Sequence, residues 1–408
     1  MNFSFKCRFC KNKNSQSLFS LGKISYTGKF PDSIKKEIPK SKIELVICSK
    51  CKLVQLKNSF NSKYLYADDY GYKTGLNQTM KNHMKNIVNL FKQKIKLNDK
   101  DFILDIASND GTLLNLYNKK LTRVGVDPII KKYKVNYKNI NFAISDFFSA
   151  QKIKKYCKNN KFKIITALSV FYDLPDPNKF LKDIKNILHK DGLFLLEHAD
   201  LASIIKLKMF DTICHEHLEY YSTTIINKML IHNNLKLIDV FSNDINGGSM
   251  QYLISHKESN YKTNSKKINK YLLIDKKLKL EHVSTYKKFF KKIKKLKKEL
   301  LFLIKNLIKK NKIIHGCGAS TKGNVLLQFY GLTKKEISLI ADRNEAKNGS
   351  FTPGTKIPIV SESESRKEGP DFYLVLPWHF KKEILKREKK IIKKGTKFIF
   401  PLPSVKVL

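Results

Sequence analysis

Asp105-Ile106-Ala107-Ser108-Asn109-Asp110-Gly111 closes the apolar run Phe102-Ile103-Leu104, and its reading decides the fold. An apolar strand ends there in a turn of small residues. A second strand, Val124-Gly125-Val126, ends in Asp127, 22 positions after Asp105. A strand, a small-residue turn and an acid closing the next strand make up a nucleoside-binding βαβ unit. Small side chains let the backbone approach a ligand, and the second acid can take both ribose hydroxyls. The plain alternative is a strand-turn-helix with no ligand.

A dinucleotide fold would place glycines where Ala107 and Asn109 stand, so a pyrophosphate cradle is disfavoured. A ligand without phosphate, such as S-adenosylmethionine, fits better. The expected cofactor contacts are Asp105, Ala107, Ser108, Asn109, Gly111 and Asp127. Further on stands Phe142-Ala143-Ile144-Ser145-Asp146-Phe147-Phe148. Here Asp146 can bond an adenine amine and an aromatic such as Phe147 can stack on the ring. Ser169, near the end of the buried strand that begins at Phe162, joins this set. The spacing predicts a helix from Asp176 to Leu188 and a strand over Leu193–Glu197. This alternation predicts a parallel, doubly wound α/β domain over residues 71–255.

On the N-terminal side, Cys7-x-x-Cys10 and Cys48-x-x-Cys51 are separated by 37 residues. Four thiolates in two knuckles suit tetrahedral, structural zinc, which a domain as small as residues 1–70 needs to hold together. Four sulfurs leave no open coordination position, so no catalysis is expected there. The tyrosine-rich run Tyr64–Gly75 bridges onto the next domain. Its tyrosines pack either as core and rim or, as with Tyr72, line a ligand pocket.

On the C-terminal side, residues 256–310 are lysine-rich, with Phe289, Ile293, Leu296, Leu300 and Ile304 at helical spacing. A long amphipathic connector helix is expected. A second α/β unit follows over residues 311–408. Ile313-Ile314 runs into His315-Gly316-Cys317-Gly318-Ala319-Ser320-Thr321-Lys322-Gly323-Asn324, where glycines and Lys322 can face a phosphate at a helix N-terminus. Ser338-Leu339-Ile340-Ala341-Asp342 is a strand that ends in an acid.

The chemistry-bearing stretch is Phe210-Asp211-Thr212-Ile213-Cys214-His215-Glu216-His217-Leu218-Glu219-Tyr220-Tyr221-Ser222. Two histidines only two positions apart do not share a helix face, so this is not a helical zinc motif. In extended backbone they point the same way, which leaves metal binding open. Proton chemistry suits the residues better: a histidine can remove a proton next to a carbonyl, and a neighbouring carboxylate can orient it. A hydrogen-bonded interface cluster is the bland reading. Asn246-Gly247-Gly248-Ser249 is a turn rich in N–H groups, able to hold an enolate oxygen or a phosphate.

The formal charge is +45, yet only five of the 80 basic residues are arginine, and lysines are spread along the whole chain. Base and phosphate forks prefer arginine, so the charge reads as solvated faces rather than a nucleic-acid track. It would still draw in a small anion. No apolar run reaches the roughly 18 residues of a membrane span, and Met1–Cys7 lacks a signal-peptide pattern. A cytoplasmic chain is expected, with no membrane or nucleic-acid partner.

Taken together, these motifs resemble the bacterial three-domain sugar C-methyltransferases, which act on nucleotide-linked deoxy-keto sugars. The resemblance rests on the four cysteines, Ser108-Asn109-Asp110-Gly111, His215-Glu216-His217, Gly247-Gly248-Ser249, the segment Gly316–Asn324 and Pro353-Gly354-Thr355. It implies a central Rossmann-like class I methyltransferase domain that holds S-adenosylmethionine. It implies an N-terminal zinc-binding domain and a C-terminal Rossmann-like α/β domain that helps hold a nucleotide sugar. It also implies that His217 is the general base and that Glu216 assists, with His215 beside them. The substrate contacts expected are Tyr72, Cys214, Asn246, Gly248, Ser249, Lys322 and Asn324. The chain departs from the family pattern in having Cys214 where a tyrosine is usual, and Tyr172-Asp173 where many members carry a histidine. The expected activity is S-adenosylmethionine-dependent C-methylation through a base-generated enolate. The alternatives are O- or N-methylation of a sugar or other small molecule, and a zinc-ribbon RNA-binding protein.

Overall fold

The computed structural model describes residues 5–66 and 73–408. The chain forms three sheets. The first is antiparallel, in the order β1 (Ser15–Ser25), β2 (Lys40–Cys48), β3 (Val54–Leu56), β9 (Glu219–Tyr220). Its fourth strand comes from the chemistry-bearing stretch, so the cysteine-containing lobe is sewn onto the next one by backbone pairing of Val54 with Tyr220 and Gln55 with Glu219.

The second sheet has seven strands: β4 (Phe102–Ile106), β5 (Thr122–Val126), β6 (Phe142–Ile144), β7 (Phe162–Leu168), β8 (Leu188–Ala199), β10 (Leu235–Asn243) and β11 (Ser249–His256). Their order is β10-β11-β8-β7-β4-β5-β6. The pairs among β4 to β8 are parallel, and β11 runs against both β8 and β10. Parallel strands are covered on both faces, which is why Leu193, Phe194, Leu195 and Leu196 of β8 are all fully buried. The helix foreseen near Asp176 runs Pro177–Ile187. Asp176 caps it by accepting from the Lys179 N–H, and Pro177 fills the first turn. Chain order reverses between β4 and β7, which opens a crevice beyond the strand ends.

The third sheet contains β12 (Ile314–Cys317), β13 (Ile340–Asp342), β14 (Ile359–Ser361), β15 (Phe372–Val375), β16 (Lys397–Phe400) and β17 (Lys406–Val407), in the order β14-β13-β12-β15-β16-β17. All its pairs are parallel except that of the last strand. Its reversal lies between β12 and β15, so the second and third sheets each present a crevice at their strand ends.

The connector is not one long helix. It is two, Ser265–Lys277 and Val283–Lys309. Lys279 takes a left-handed conformation at the break. The carbonyls freed there are taken up by side chains of the second helix: Thr285 Oγ1 donates to Lys279 O at 2.8 Å, and Tyr286 OH to Leu280 O at 2.5 Å. The apolar stripe foreseen on this helix is buried, and Phe290 stacks on Phe19 of β1 at 4.9 Å. Those five side chains together with Tyr286, at ~1.5–3 kcal/mol each, are what hold the helix down. Its lysines are exposed except Lys297, whose ammonium donates to Phe329 O at 2.6 Å. No helix among the described residues is long and apolar enough to cross a membrane.

Candidate active site

The crevices of the second and third sheets open onto one shared cavity of about 850 Å³, walled also by Phe30 and Tyr66 of the first lobe. The turn after β4 forms one end. Ala107 and Asn109 both take left-handed φ, +57° and +49°, which bends the backbone sharply at the cavity wall. Asp127 is held between two backbone donors, Asn109 N and Ile129 N, each at 2.9 Å. Burial pushes its pKa up, and these two N–H bonds oppose that shift. Asp105 sits deeper, bonded by Thr166 Oγ1 at 2.6 Å, and burial pushes it up to about 7.

The expected cofactor residues Asp105, Ala107, Ser108, Asn109, Asp127, Asp146, Phe147 and Ser169 all lie on the cavity wall, and Gly111 does not. At Gly111 a Cβ would meet the Tyr137 ring at 3.3 Å, so that position serves the packing under the turn. The Ser108 hydroxyl is already bonded to Tyr137 OH at 2.7 Å. The Asn109 side chain also turns away from the ligand side. It accepts from Thr74 N at 2.9 Å, while Asp110 accepts from Gly75 N at 2.8 Å. The two side chains thus pin the segment at Thr74–Leu76 over the turn. Tyr72 lies outside the described residues.

His217 lies on the same cavity. Its Nδ1–H donates to the Thr212 carbonyl at 2.7 Å, which fixes the tautomer and leaves Nε2 as an acceptor open on the cavity side. Burial holds its pKa down to about 3, and the nearby charge of Lys322 adds to this. Tyr172 packs its ring 4.2 Å from the imidazole. Glu216 also lines the cavity, with Thr27 Oγ1 donating to its carboxylate at 3.0 Å. Burial pushes Glu216 up, and it pushes the neighbouring Asp173 up further.

His215 is elsewhere. Its ring is boxed edge-on by Tyr26 at 4.5 Å and Phe60 at 4.7 Å, off the cavity wall. Burial takes it down to about 4. It packs the first lobe against the second, and the histidine pair does not converge on a metal position: among the described residues, the grouping able to hold an ion is the four cysteines.

Of the expected substrate residues, Asn246 and Lys322 line the cavity; Cys214, Gly248, Ser249 and Asn324 do not. Asn246 donates to Ser169 Oγ at 3.3 Å, and its carbonyl accepts from Lys322 Nζ at 2.7 Å. Burial lowers the Lys322 pKa. Gly248 backs onto Ser203, where a Cβ would come within 2.7 Å, and the Ser249 hydroxyl is consumed by Ile245 O at 2.9 Å. Cys214 is fully buried behind Glu216. Asn324 holds the Thr27 carbonyl at 2.7 Å, so it supports the site through the first lobe.

The loop Thr27-Gly28-Lys29-Phe30, which leaves β1 to reach the cavity, carried no signal in the sequence. Gly28 is the one hint: a Cβ there would stand 2.8 Å from Glu216 Oε1.

The four cysteine sulfurs lie within 4.8 Å of one another, with Cys7–Cys51 and Cys10–Cys48 at 3.5 Å. Tetrahedral zinc with Zn–S bonds of 2.3 Å spaces its sulfurs by about 3.8 Å, so the cluster fits the ion. The Asp127 carboxylate, held by backbone at the end of β5 and facing the cavity, fits a ribose diol.

Three family models match in sequence along the chain: "Putative zinc binding domain" over residues 7–66, "Methyltransferase domain" over 77–240, and "C-methyltransferase C-terminal domain" over 244–403. C-methyltransferase NovU of Streptomyces niveus is 27% identical over 368 residues, which are 90% of this chain and 87% of NovU. Among solved structures, an S-adenosylmethionine-dependent methyltransferase from Clostridium acetobutylicum is 16% identical with a TM-score of 0.34, over 42% of this chain and 90% of its own. The plantazolicin methyltransferase BamL is 13% identical with a TM-score of 0.36, over 44% of this chain and 87% of its own. These matches, in this order along the chain, fit the three-domain C-methyltransferases, and the chain is an S-adenosylmethionine-dependent methyltransferase with a structural zinc site.

Proposed function

We propose that this enzyme methylates carbon in a nucleotide-linked keto-deoxy sugar, with His217 as the base. The observation that carries this reading is the open Nε2 of His217 on the cavity that Asp127 also lines. S-adenosylmethionine, when bound, supplies a methyl group activated on a sulfonium. Asp127 takes its ribose hydroxyls, and the turn at Ala107–Asn109 lets the backbone approach.

His217 Nε2 accepts a proton from the carbon beside the sugar ketone. The C–H electron pair becomes that of an enolate. The enolate carbon then forms a bond to the methyl carbon as the sulfur–methyl bond breaks. Lys322, buried near His217, offers positive charge to the enolate oxygen. Glu216, whose carboxyl burial pushes upward, faces the sugar from the same cavity wall.

Burial is the larger cause of the low basicity of His217, and the charge of Lys322 is the part that a substrate can offset. An anionic substrate offsets the Lys322 charge and favours the imidazolium. The working arrangement is therefore completed by a negatively charged substrate, which agrees with a nucleotide-linked one and with the field of a chain bearing +45.

The test is hydrogen exchange in deuterated water without methyl donor, over a panel of nucleotide-linked keto sugars, followed by labelled methyl transfer read by mass spectrometry. Deuterium at the carbon next to the ketone, and label on that same carbon, are expected. Label on oxygen or nitrogen with no exchange would replace this mechanism with O- or N-methylation.

A further inference from the structure

Averaged over the whole chain, the positive charge reads as solvated faces. On the second connector helix, Val283–Lys309, it does not. Residues 265–312 carry 18 lysines against three acids, whereas the rest of the chain carries 62 basic residues against 32 acids. Lysine is spread everywhere. What is missing here is the acid that, three or four positions away, pairs with it on a solvated helix. A drift of composition toward lysine acts on every lobe alike and does not strip the acids from one connector.

This helix has two faces. One carries the buried stripe of Phe289, Ile293, Leu296, Leu300 and Ile304. On the other, Lys291, Lys295, Lys298, Phe302, Lys305 and Lys309 follow one another in steps of three and four, so they form a single row on the helix surface. All six are exposed, Phe302 at 69%. At 1.5 Å per residue the row runs for about 27 Å. Among the described residues, its one ion pair is Lys295 with Glu299, long at 3.9 Å and open to water. A single exposed phenyl group is ordinary. Here it stands near the middle of an unneutralised cationic row.

We propose that this face docks on an anionic membrane surface, with the lysines against headgroup phosphates and Phe302 entering the boundary with the acyl chains. Charge complementarity selects a polyanion, and a second copy of the chain is repelled by the same charge. The side-chain chemistry then favours lipid over nucleic acid. Nucleic-acid phosphates and bases are gripped by guanidinium forks, and this helix has no arginine. An anionic bilayer responds to the number of charges held near it, which ammonium groups supply equally well. A ring flanked by those charges adds apolar area that a headgroup layer can bury. The buried stripe stays in the fold, so the contact is peripheral and reversible. It does not depend on which atom the enzyme methylates.

The experiment is co-sedimentation of the full, zinc-loaded chain with vesicles of phosphatidylcholine, with and without phosphatidylglycerol, in low and high salt. Binding should require phosphatidylglycerol and weaken with salt. Each lysine removed from the row should lower the partition about fivefold. Changing Lys291, Lys295, Lys298 and Lys305 to Gln should therefore lower it by a hundredfold or more on that estimate of about fivefold each. The charge-matched control changes Lys81, Lys85, Lys92 and Lys94, exposed on the helix Gln78–Lys94, and should lose far less. Phe302→Ala, at unchanged charge, should lower the partition about tenfold. An S-adenosylmethionine titration checks that each variant is folded. No preference for anionic vesicles overturns the proposal. Equal loss in the two lysine variants also overturns it, leaving only a diffuse field. Full binding by Phe302→Ala overturns the part given to the ring. Single-stranded RNA that strips the chain from the vesicles, and that the row variant no longer binds, overturns it in favour of nucleic acid.

Discussion

Thr212 decides which nitrogen of His217 is free. Its carbonyl accepts the Nδ1 proton at 2.7 Å and its hydroxyl lies 3.2 Å from the same atom, so the other nitrogen faces the cavity as an acceptor. The carbonyl belongs to the short helical turn Phe210–Thr212, where Asp211 binds the Trp378 indole at 2.8 Å across to the third lobe. The orientation of the imidazole is thus set by packing between lobes.

Replacing His217 by Gln keeps a polar side chain of similar reach and removes the base. We expect kcat to fall by about 10²–10⁴-fold, with the S-adenosylmethionine titration unchanged. Turnover within twofold of the unmodified enzyme would remove His217 from the mechanism.

The pH profile should lack the limb an ordinary histidine gives. A free imidazole titrates near pH 6.5, whereas burial holds that of His217 down to about 3. Its neutral, proton-accepting form therefore persists well below pH 6.5, and it is lost only as pH falls toward 3. The expected kcat/KM, which reports the free enzyme, shows no His217-dependent fall between pH 8 and about 5. In kcat, measured with anionic substrate bound, the apparent value moves up. A fall centred on pH 6.5 in kcat/KM that vanishes in His217→Gln would contradict the buried, neutral imidazole.

Methyl-donor affinity should depend on pH through Asp105. Burial pushes that carboxyl up to about 7, and the charges of Asp127 and Asp110 add to the shift. A cationic sulfonium favours the ionised form, so binding should strengthen as pH rises through 7 and release a proton. Calorimetry in buffers of different ionisation heat reads that proton directly. Asp105→Asn should flatten the dependence; affinity that is constant from pH 6 to 8 in the unmodified enzyme would count against it.

Arg8 links the zinc knuckle to the stretch that carries His217. It sits between Cys7 and Cys10, bonds Gln55, Leu56 O and Asn58 O, reaches Leu218 O at 3.4 Å and pairs with buried Glu219 at 3.4 Å. Gln55 in turn donates to Cys7 Sγ at 3.2 Å. Arg8→Ala orphans several buried acceptors and should cost about 3 kcal/mol in denaturant unfolding. Arg8→Lys should recover only part, because an ammonium cannot span the same set of acceptors. Chelating the zinc should lower kcat well before it weakens donor binding; a parallel loss of both would mean the knuckle acts on the whole fold.

The sequence carried the strands that end in Asp105 and Asp127, the capped helix after Asp176 and the two cysteine knuckles, because each is written in local spacing. What it did not carry is which lobe touches which. His215 and His217 are alike in type and neighbourhood, yet one is packed among the rings of Tyr26 and Phe60 while the other opens on the cavity. The turn at Gly247–Ser249 looked like an anion cradle and is instead wedged between Ser203, Met209 and Trp378. The Thr27–Phe30 loop was silent because its partners lie about 190 and 300 positions away, at Glu216 and Asn324. The break after Lys277 was missed because the residues that relieve it, Thr285 and Tyr286, continue the same helical pattern.

One contact chain has a bearing on biosynthesis. Glu216 is touched by Thr27, and Thr27 is gripped by Asn324. A ribosome making this polypeptide emits Thr27 early, Glu216 midway and Asn324 late. The acid near the imidazole thus acquires its full support only once the final quarter of the chain has emerged, so a truncated nascent product should bind its methyl donor yet leave it unspent.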